Sequence, residues 1–505
     1  MPRVLLPLLA FAGVLGAEER EAVLWTPVEW SVENASFEGN PFDVEATVIF
    51  THPASDETRR TAMFFDGGTT WRWRFTGTRT GEWTWASESA DPDLAGRSGT
   101  VRVARGTAEG FLVARGTRFA RQVDEDGTLR GVVLNVYMNL REPGDPETPG
   151  FGAASPPHYT PLALMDDAAA RAAYLGQARE HGCNAVFFQM TNEWFRRGKP
   201  RAPDHDSADP DLDTLRALEH VIRDAHAQGL QVVLWMWGDE ERHWTPVRTG
   251  GLNGAPDRRL QRAIAARLGP LPGWSMGYGF DLEEWASEEV IREWASNLHS
   301  RMGWPHLLWA RRRSNPELDA VSLDTRWGDF EAGFYPVTRR LLEEARTRPV
   351  LFERRFAYMR DGWWTMTRTR RAMWQFAMAG GAAGWWGFYG RSYLAGPGYP
   401  APGQMRAHAT FWRDRFLLDF ACGGDAETGY VLAHPQKSHF VFYREEAASI
   451  RLDLTGMDGP RRAVAVDAAR AYEEIDLGVL EPGDHTWNAP RASDWAVAVG
   501  DFGPR

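Results

Sequence analysis

The sequence predicts an α/β fold, a (β/α)8 barrel flanked by an N-terminal immunoglobulin-like β-sandwich and a small C-terminal β-sandwich. Three observations carry this expectation. Apolar residues alternate with period two through much of Val28–Gly106, and short β-type runs return beyond the Gly/Pro-rich stretch Gly390–Gly403. Between them, eight short apolar runs alternate with helical segments, the count of a closed barrel and not of an open doubly wound sheet. No G-x-G-x-x-G follows the first run, so the dinucleotide-binding alternative lacks its fingerprint.

The chain of 505 residues is too long for one compact core. Its divisions are expected at 1–17 (signal peptide), 18–108 (N-terminal sandwich), 109–405 (barrel) and 406–505 (C-terminal sandwich). With 43% hydrophobic and 25% charged residues it is an ordinary folded composition. A formal charge of −11 argues against a nucleic-acid partner, which needs a basic face. Arg3, the apolar segment Val4–Leu15 and small residues around Gly16–Ala17 have a signal-peptide layout, which predicts a secreted or periplasmic protein. No later stretch is apolar for long enough to span a bilayer. Cys183 and Cys422 are the only cysteines; a disulfide between them is the alternative, but they fall in different expected domains, so two free buried thiols are expected, and no cysteine-based zinc site.

In order along the chain, Val44–Phe50 alternates in its first half, and Trp71-Arg72-Trp73-Arg74-Phe75 sets aromatics on one strand face and arginines on the other. Such tryptophan rows suit a sandwich core. The barrel strands are expected at Gly131–Leu140, Cys183–Met190, Leu230–Trp237, a run opening at Trp274, His306–Ala310, Ala320–Leu323, Pro349–Phe352 and Ala382–Trp386. The helices are expected at Leu164–His181, Leu212–Ala227, Asp257–Leu268, Glu288–Arg301, Tyr335–Arg346 and Arg370–Ala379, with another at Gln404–Leu418. The terminal strands are Tyr430–Ala433, His439–Tyr443, Ser449–Leu454, Arg462–Val466 and Ala496–Val499.

Barrel enzymes do their chemistry at the C-terminal ends of the strands, so the polar residues just past each run are the candidates. They are Asn135 and Asn139, Asn192 and Glu193, Asp239 to Glu241, Asp281 to Glu284, Arg311 to Arg313, Asp324 and Arg326, Glu353, and Tyr389. Carboxylates and aromatics dominate, with no His/Asp cluster at zinc spacing, so no cofactor and no metal are expected. Breaking a glycosidic bond needs one carboxylic acid to protonate the leaving oxygen and one carboxylate facing the anomeric carbon. Glutamates at the ends of the fourth strand (Glu283 or Glu284) and the seventh (Glu353) would lie nearly across the mouth from each other. Asn192, Glu193, Trp237, Asp239, Asp281, Asp324, Arg326, Trp386 and Tyr389 are candidates for holding the sugar. Each has a plainer reading. Asp281-x-x-Glu284 has capping-box spacing, although Ser287-Glu288-Glu289 is an equally good helix start. Glu353 has two arginines beside it to pair with. Trp235, Trp237, Trp385 and Trp386 divide evenly between barrel core and sugar stacking. Asp204 to Asp211 is as acidic as a calcium loop but lacks the EF-hand glycine and terminal glutamate.

Three segments carry a family resemblance: Asp66–Trp85, Gly279–Trp285 and Arg371–Gly390. Together they resemble the apiosidase-like glycoside hydrolases of polysaccharide-degrading bacteria, of clan A type, with an N-terminal immunoglobulin-like domain and a C-terminal sandwich of the collagen-binding type. The resemblance implies Glu284 as acid/base and Glu353 as nucleophile, with Glu283 competing for the first role. Glu283 also stands where the clan usually has an asparagine. Arg326 at the end of strand six would suit an acidic sugar. The expected function is a retaining double displacement on a plant or algal polysaccharide or oligosaccharide. Two rivals are a non-catalytic carbohydrate-binding protein on a barrel scaffold and a polysaccharide lyase. Neither sugar identity nor oligomeric state is legible in the sequence.

Overall fold

The computed structural model describes residues 18–138, 167–190, 192–197, 208–238, 245–279, 281–311, 315–323, 330, 333–355, 365–387 and 401–502. The chain divides into two compact units, one up to Thr107 and one from Ala108 onward.

In the first unit, strands β1 (Glu18–Val23), β2 (Pro27–Glu33), β3 (Ala46–His52), β4 (Glu57–Ala62), β5 (Phe64–Phe65), β6 (Thr70–Thr76), β7 (Gly81–Ser89) and β8 (Ser98–Ala104) build two sheets. Their orders are β1-β8-β7-β3-β4 and β2-β6-β5. The tryptophan rows lie between them: Trp30 stacks on Trp73 at 6.0 Å and meets Phe50 at 5.6 Å and Trp85 at 5.7 Å across the sheets. The arginines alternating with them pair with an acid, Arg72 and Arg74 each bonding Glu29 at 2.6 Å, and Arg74 also lies over the Phe64 ring. These aromatic rows are core, as alternation requires.

The second unit opens with an antiparallel sheet of β9 (Leu112–Arg115), β10 (Arg118–Gln122) and β11 (Leu129–Val132). The run Gly131–Leu140, expected as one strand, is divided between β11 and the next strand. Only Asn135 and Asn139 interrupt its apolar residues, and the chain changes partners at Val133–Leu134, just before Asn135. Leu112, Phe119 and Val132 join the apolar cluster of the barrel interior and close its N-terminal end.

The barrel itself is closed and parallel. Its strands are β12 (Asn135–Met138), β13 (Ala185–Gln189), β14 (Gln231–Trp235), β15 (Trp274–Gly277), β16 (Leu308–Arg311), β17 (Ala320–Leu323), β18 (Val350–Arg355) and β19 (Ala383–Gly387). The surrounding helices are α1 (Ala168–Glu180), α2 (Leu212–Ala227), α3 (Ala255–Leu268), α4 (Glu288–Arg301), α5 (Phe334–Ala345) and α6 (Met366–Met378). Alternate strand residues face the axis; Val136, Phe187, Val233, Trp309, Leu351 and Trp385 belong to one interior cluster. Followed from strand to strand around the ring, the register of Val136 returns eight residues earlier on its own strand, the stagger of a (β/α)8 barrel. The level position therefore advances one residue per strand. By that rule Trp235, Arg311 and Glu353 share one interior layer, and Gln189 stands in the next layer toward the C-terminal mouth.

After α7 (Pro402–Trp412) come β20 (Ala421–Asp425), β21 (Gly429–Ala433), β22 (Phe440–Asp453), β23 (Arg461–Asp467), β24 (Glu474–Leu480) and β25 (Asp484–Val499), one antiparallel sheet in the order β20-β21-β22-β25-β23-β24. Register shifts between Arg444 and Ser449 interrupt the long β22–β25 ladder, and Phe440 and Phe442 from the first half of β22 share a core with Ile450 and Leu452 from its second. The expected small sandwich is thus one bent sheet. Its other face packs Leu432, Val441 and Tyr443 on Trp374 of α6 and Trp412 of α7. Both cysteines are free thiols, Cys183 buried and Cys422 half-buried. No helix among the described residues is long and apolar enough to cross a membrane.

Candidate active site

Glu353 is the inward residue near the end of the seventh barrel strand. Its neighbour Phe352 points outward and stacks on Phe376 of α6 at 4.6 Å, which fixes the strand's facing. The β18–β19 pairing shifts register between Phe352 and Arg355, beside the carboxylate, a common place for a strand irregularity at a site. The residue is 1% exposed. A buried carboxylate is costly unless it is paired and hydrogen-bonded. Here Trp235 Nε1 and Trp309 Nε1 donate to Oε1 at 3.2 and 2.9 Å, and Arg311 Nε donates to Oε2 at 2.9 Å. Both oxygens act as acceptors, the role of an ionised carboxylate, and a carboxylate offers about four acceptor sites. The three bonds leave room on Oε2. Arg311 also lies over the Trp235 ring, its Cζ 5.3 Å from the centroid.

The fourth strand makes this cage possible by having no side chain at its inward position. A Cβ on Gly277 would stand 2.8 Å from Trp235 Cδ1 and inside the contact envelope of Trp309 Nε1. The two indoles, from strands three and five, cross the space that a strand-four side chain would occupy.

The strand-four loop is tied to the same cage. Arg311 Nη1 donates to Asp281 Oδ1 at 2.8 Å, so one guanidinium holds Asp281 and Glu353 together. Asp281 adopts the left-handed conformation (φ 46°, ψ 47°), uncommon for a residue with a side chain, and begins the turn Leu282–Glu284. Leu282 is buried and anchors that turn, while Glu283 and Glu284 are exposed. The capping-box alternative for Asp281 fails: its side chain makes no cap bond, and α4 is capped by Ser287, which accepts from Val290 N at 3.3 Å. Behind the loop, Tyr278 stacks on Trp285 at 5.6 Å. Its hydroxyl is pushed well above the ordinary range by burial and then by the nearby Asp257 charge. Burial likewise pushes the Asp257 carboxyl up to about 6.

Of the remaining candidates for holding the sugar, Asn192, Glu193, Trp237 and Trp386 are among the described residues. Asn192 and Glu193 form a buried turn after the second strand, where the Glu193 carbonyl accepts from Thr214 Oγ1 at 3.0 Å. Trp237 and Trp386 take the core reading of the two that the sequence offered. Both are fully buried in the layer between strands and helices, and Trp386 Nε1 donates to Asn135 Oδ1 at 3.0 Å. Trp386 follows the inward Trp385 and so takes the outward phase of its strand, whereas Trp237 lies past the end of β14, off that strand's alternation. Asp239, Asp324, Arg326 and Tyr389, with Asn139, Glu240 and Glu241, lie outside the described residues. In the acidic stretch before α2, Asp209 pairs with Arg259 and Asp211 caps α2. Among the described residues no group of three or more His, Cys, Asp or Glu is placed to hold a metal.

Sequence reasoning missed Trp309 and Gly277, and it placed Arg311 in the mouth without a role. A signal existed: Trp309 and Arg311 alternate on one strand, so a charge sits in the inward phase of an apolar barrel, where it needs a counter-charge.

Comparison with other proteins bears on the fold. Residues 21–90 match the domain of unknown function DUF5060. No curated protein matches the chain. A candidate glycoside hydrolase from Bacteroides vulgatus superimposes with a TM-score of 0.68 at 14% identity, over 96% of this chain and 100% of that one. A glycoside hydrolase family 5 protein from the same organism gives 0.56 at 14% identity, over 78% and 94%. A further glycoside hydrolase gives 0.55 at 14%, over 79% and 98%. The fold is shared. At this identity the likeness is one of architecture.

Proposed function

We propose that this chain is a glycoside hydrolase acting by retaining double displacement, with Glu353 as nucleophile and Glu284 as acid/base, Glu283 being the competing residue for the second role. One observation carries the reading: an inward glutamate at the C-terminal end of the seventh strand, enclosed by three N–H donors, with acceptor capacity left on Oε2. The barrel and its likeness to glycoside hydrolases support it. In the first step Oε2 attacks the anomeric carbon while Glu284 gives its proton to the departing glycosidic oxygen. In the second, Glu284 takes a proton from water, which attacks the same carbon and releases Glu353. Asp281 is committed to Arg311, which leaves the two glutamates that follow it as the loop's proton carriers.

The substrate class proposed is a plant or algal polysaccharide or its oligosaccharides, and the protein is proposed to be secreted, on the signal-peptide layout of its first residues. The N-terminal unit is proposed to be immunoglobulin-like and the chain apiosidase-like, on the segments quoted above. Retention predicts catalytic carboxylates about 5–5.5 Å apart, against about 6.5–9.5 Å for inversion. The test is incubation with a panel of polysaccharides, with NMR of the first-formed anomer. Glu353→Gln should abolish sugar release and retain the fold by circular dichroism. Full activity in that variant would sink the assignment.

A further inference from the structure

Two glutamines face the barrel axis with both amide atoms unsatisfied: Gln189, at the C-terminal end of β13, and Gln231, at the N-terminal end of β14. Each is at most 1% exposed. Their positions differ in one respect that matters. Gln231 lies toward the barrel end closed by β9–β11, whereas Gln189 stands one layer above Trp235, Arg311 and Glu353, on the side where substrate would enter. The backbone around Gln189 is spent in the sheet, with Met190 N bonded to Trp235 O at 2.8 Å, so the unsatisfied capacity is the side-chain amide alone. A buried amide without partners is disfavoured unless something completes it.

Resting on the hydrolase reading, we infer that Gln189 is a specificity residue that takes hydroxyls of a neutral sugar ring seated over Glu353. A primary amide has an acceptor and two donors, and a sugar hydroxyl both donates and accepts, so the pair completes both. Charge points the same way. Arg311 is shared by Glu353 and Asp281, so the described groups around the carboxylate leave no cationic surplus to receive a uronate. This differs from the acidic sugar that Arg326 suggested in sequence.

The test uses 2,4-dinitrophenyl glycosides of neutral sugars and the corresponding glucuronide. Binding is measured by calorimetry on Glu353→Gln protein and hydrolysis on the parent. At least one neutral glycoside should bind, and adding Gln189→Leu should weaken it by ~10-fold or more, the size of one lost hydrogen-bonded contact. Gln231→Leu is the control and should leave binding unchanged. The inference is overturned if no neutral glycoside binds, if the glucuronide binds in preference, or if Gln189→Leu only raises the melting temperature without weakening binding, as it would were a buried water the sole partner. A neutral glycoside that binds through Gln189 but is never cleaved by the parent would refute the hydrolase reading and leave the role of Gln189 standing.

Discussion

Gly277 and Trp309, on adjacent barrel strands, share one volume: the indole that donates to Glu353 at 2.9 Å occupies the place of the missing side chain at 277. A methyl group there has to displace the indole.

Gly277→Ala should therefore lower turnover by about 10²-fold, the scale of a small misplacement at a reacting group, with little change in substrate binding. Trp309→Phe, which removes the N–H and adds no bulk at 277, should reproduce the fall in kcat. Steady-state kinetics on both variants decide it. A large rise in KM at constant kcat would show that the two tryptophans act on ground-state binding instead.

The Arg311–Glu353 pair is almost wholly buried on both sides, the side chains being 4% and 0% exposed. Arg311→Met should cost about 3–5 kcal/mol, because it strands a buried carboxylate. The double variant Arg311→Met with Glu353→Leu should recover most of that stability and have no activity. Denaturant unfolding of the three proteins, parent included, measures this. A double variant no more stable than the single one would mean that the cage is held by something other than this charge pair.

Asp257 makes stability pH-dependent in a stated direction. Burial raises its folded pKa from 3.8 to about 6, so the fold prefers the neutral acid. Below the unfolded pKa both states are protonated and no cost is felt. As pH rises from about 4 to about 6, the unfolded chain ionises first and stability is lost. Asp257→Asn should remove that cost, a gain of about 2–3 kcal/mol at pH 7 that shrinks toward zero near pH 4. Its amide oxygen can keep the acceptor role toward Asn253 N, now 2.8 Å from the carboxylate. Thermal melts of both proteins across that range test the sign. A gain that grows on acidification would reverse it.

How far the sequence reached depends on what each feature needs. All eight barrel strands and the six barrel helices were legible, because periodicity and caps are local: Leu212–Ala227 falls where apolar spacing places it, and Glu288–Arg301 where apolar spacing and the Ser287 helix start do. Glu353 was legible too, as a charge closing an apolar run at a position where barrels put chemistry. Strand β20, the β9–β10 hairpin, β24 and the first half of β25 were not, since their solvent-facing or partner-switching residues lack a clean alternation.

The surroundings of Glu353 belong to the tertiary structure. Donors from Trp235, Trp309 and Arg311 come from strands far away in sequence, and the stagger of the closed barrel sets Trp235 and Arg311 level with the carboxylate, with Trp309 one interior layer below. The same stagger lifts Gln189 above that layer and makes the absent side chain of Gly277 matter. Local residue patterns specify which segments become strands and which faces are apolar. Which faces then meet is decided only when the ring closes, because register around a barrel is a property of all eight strands at once.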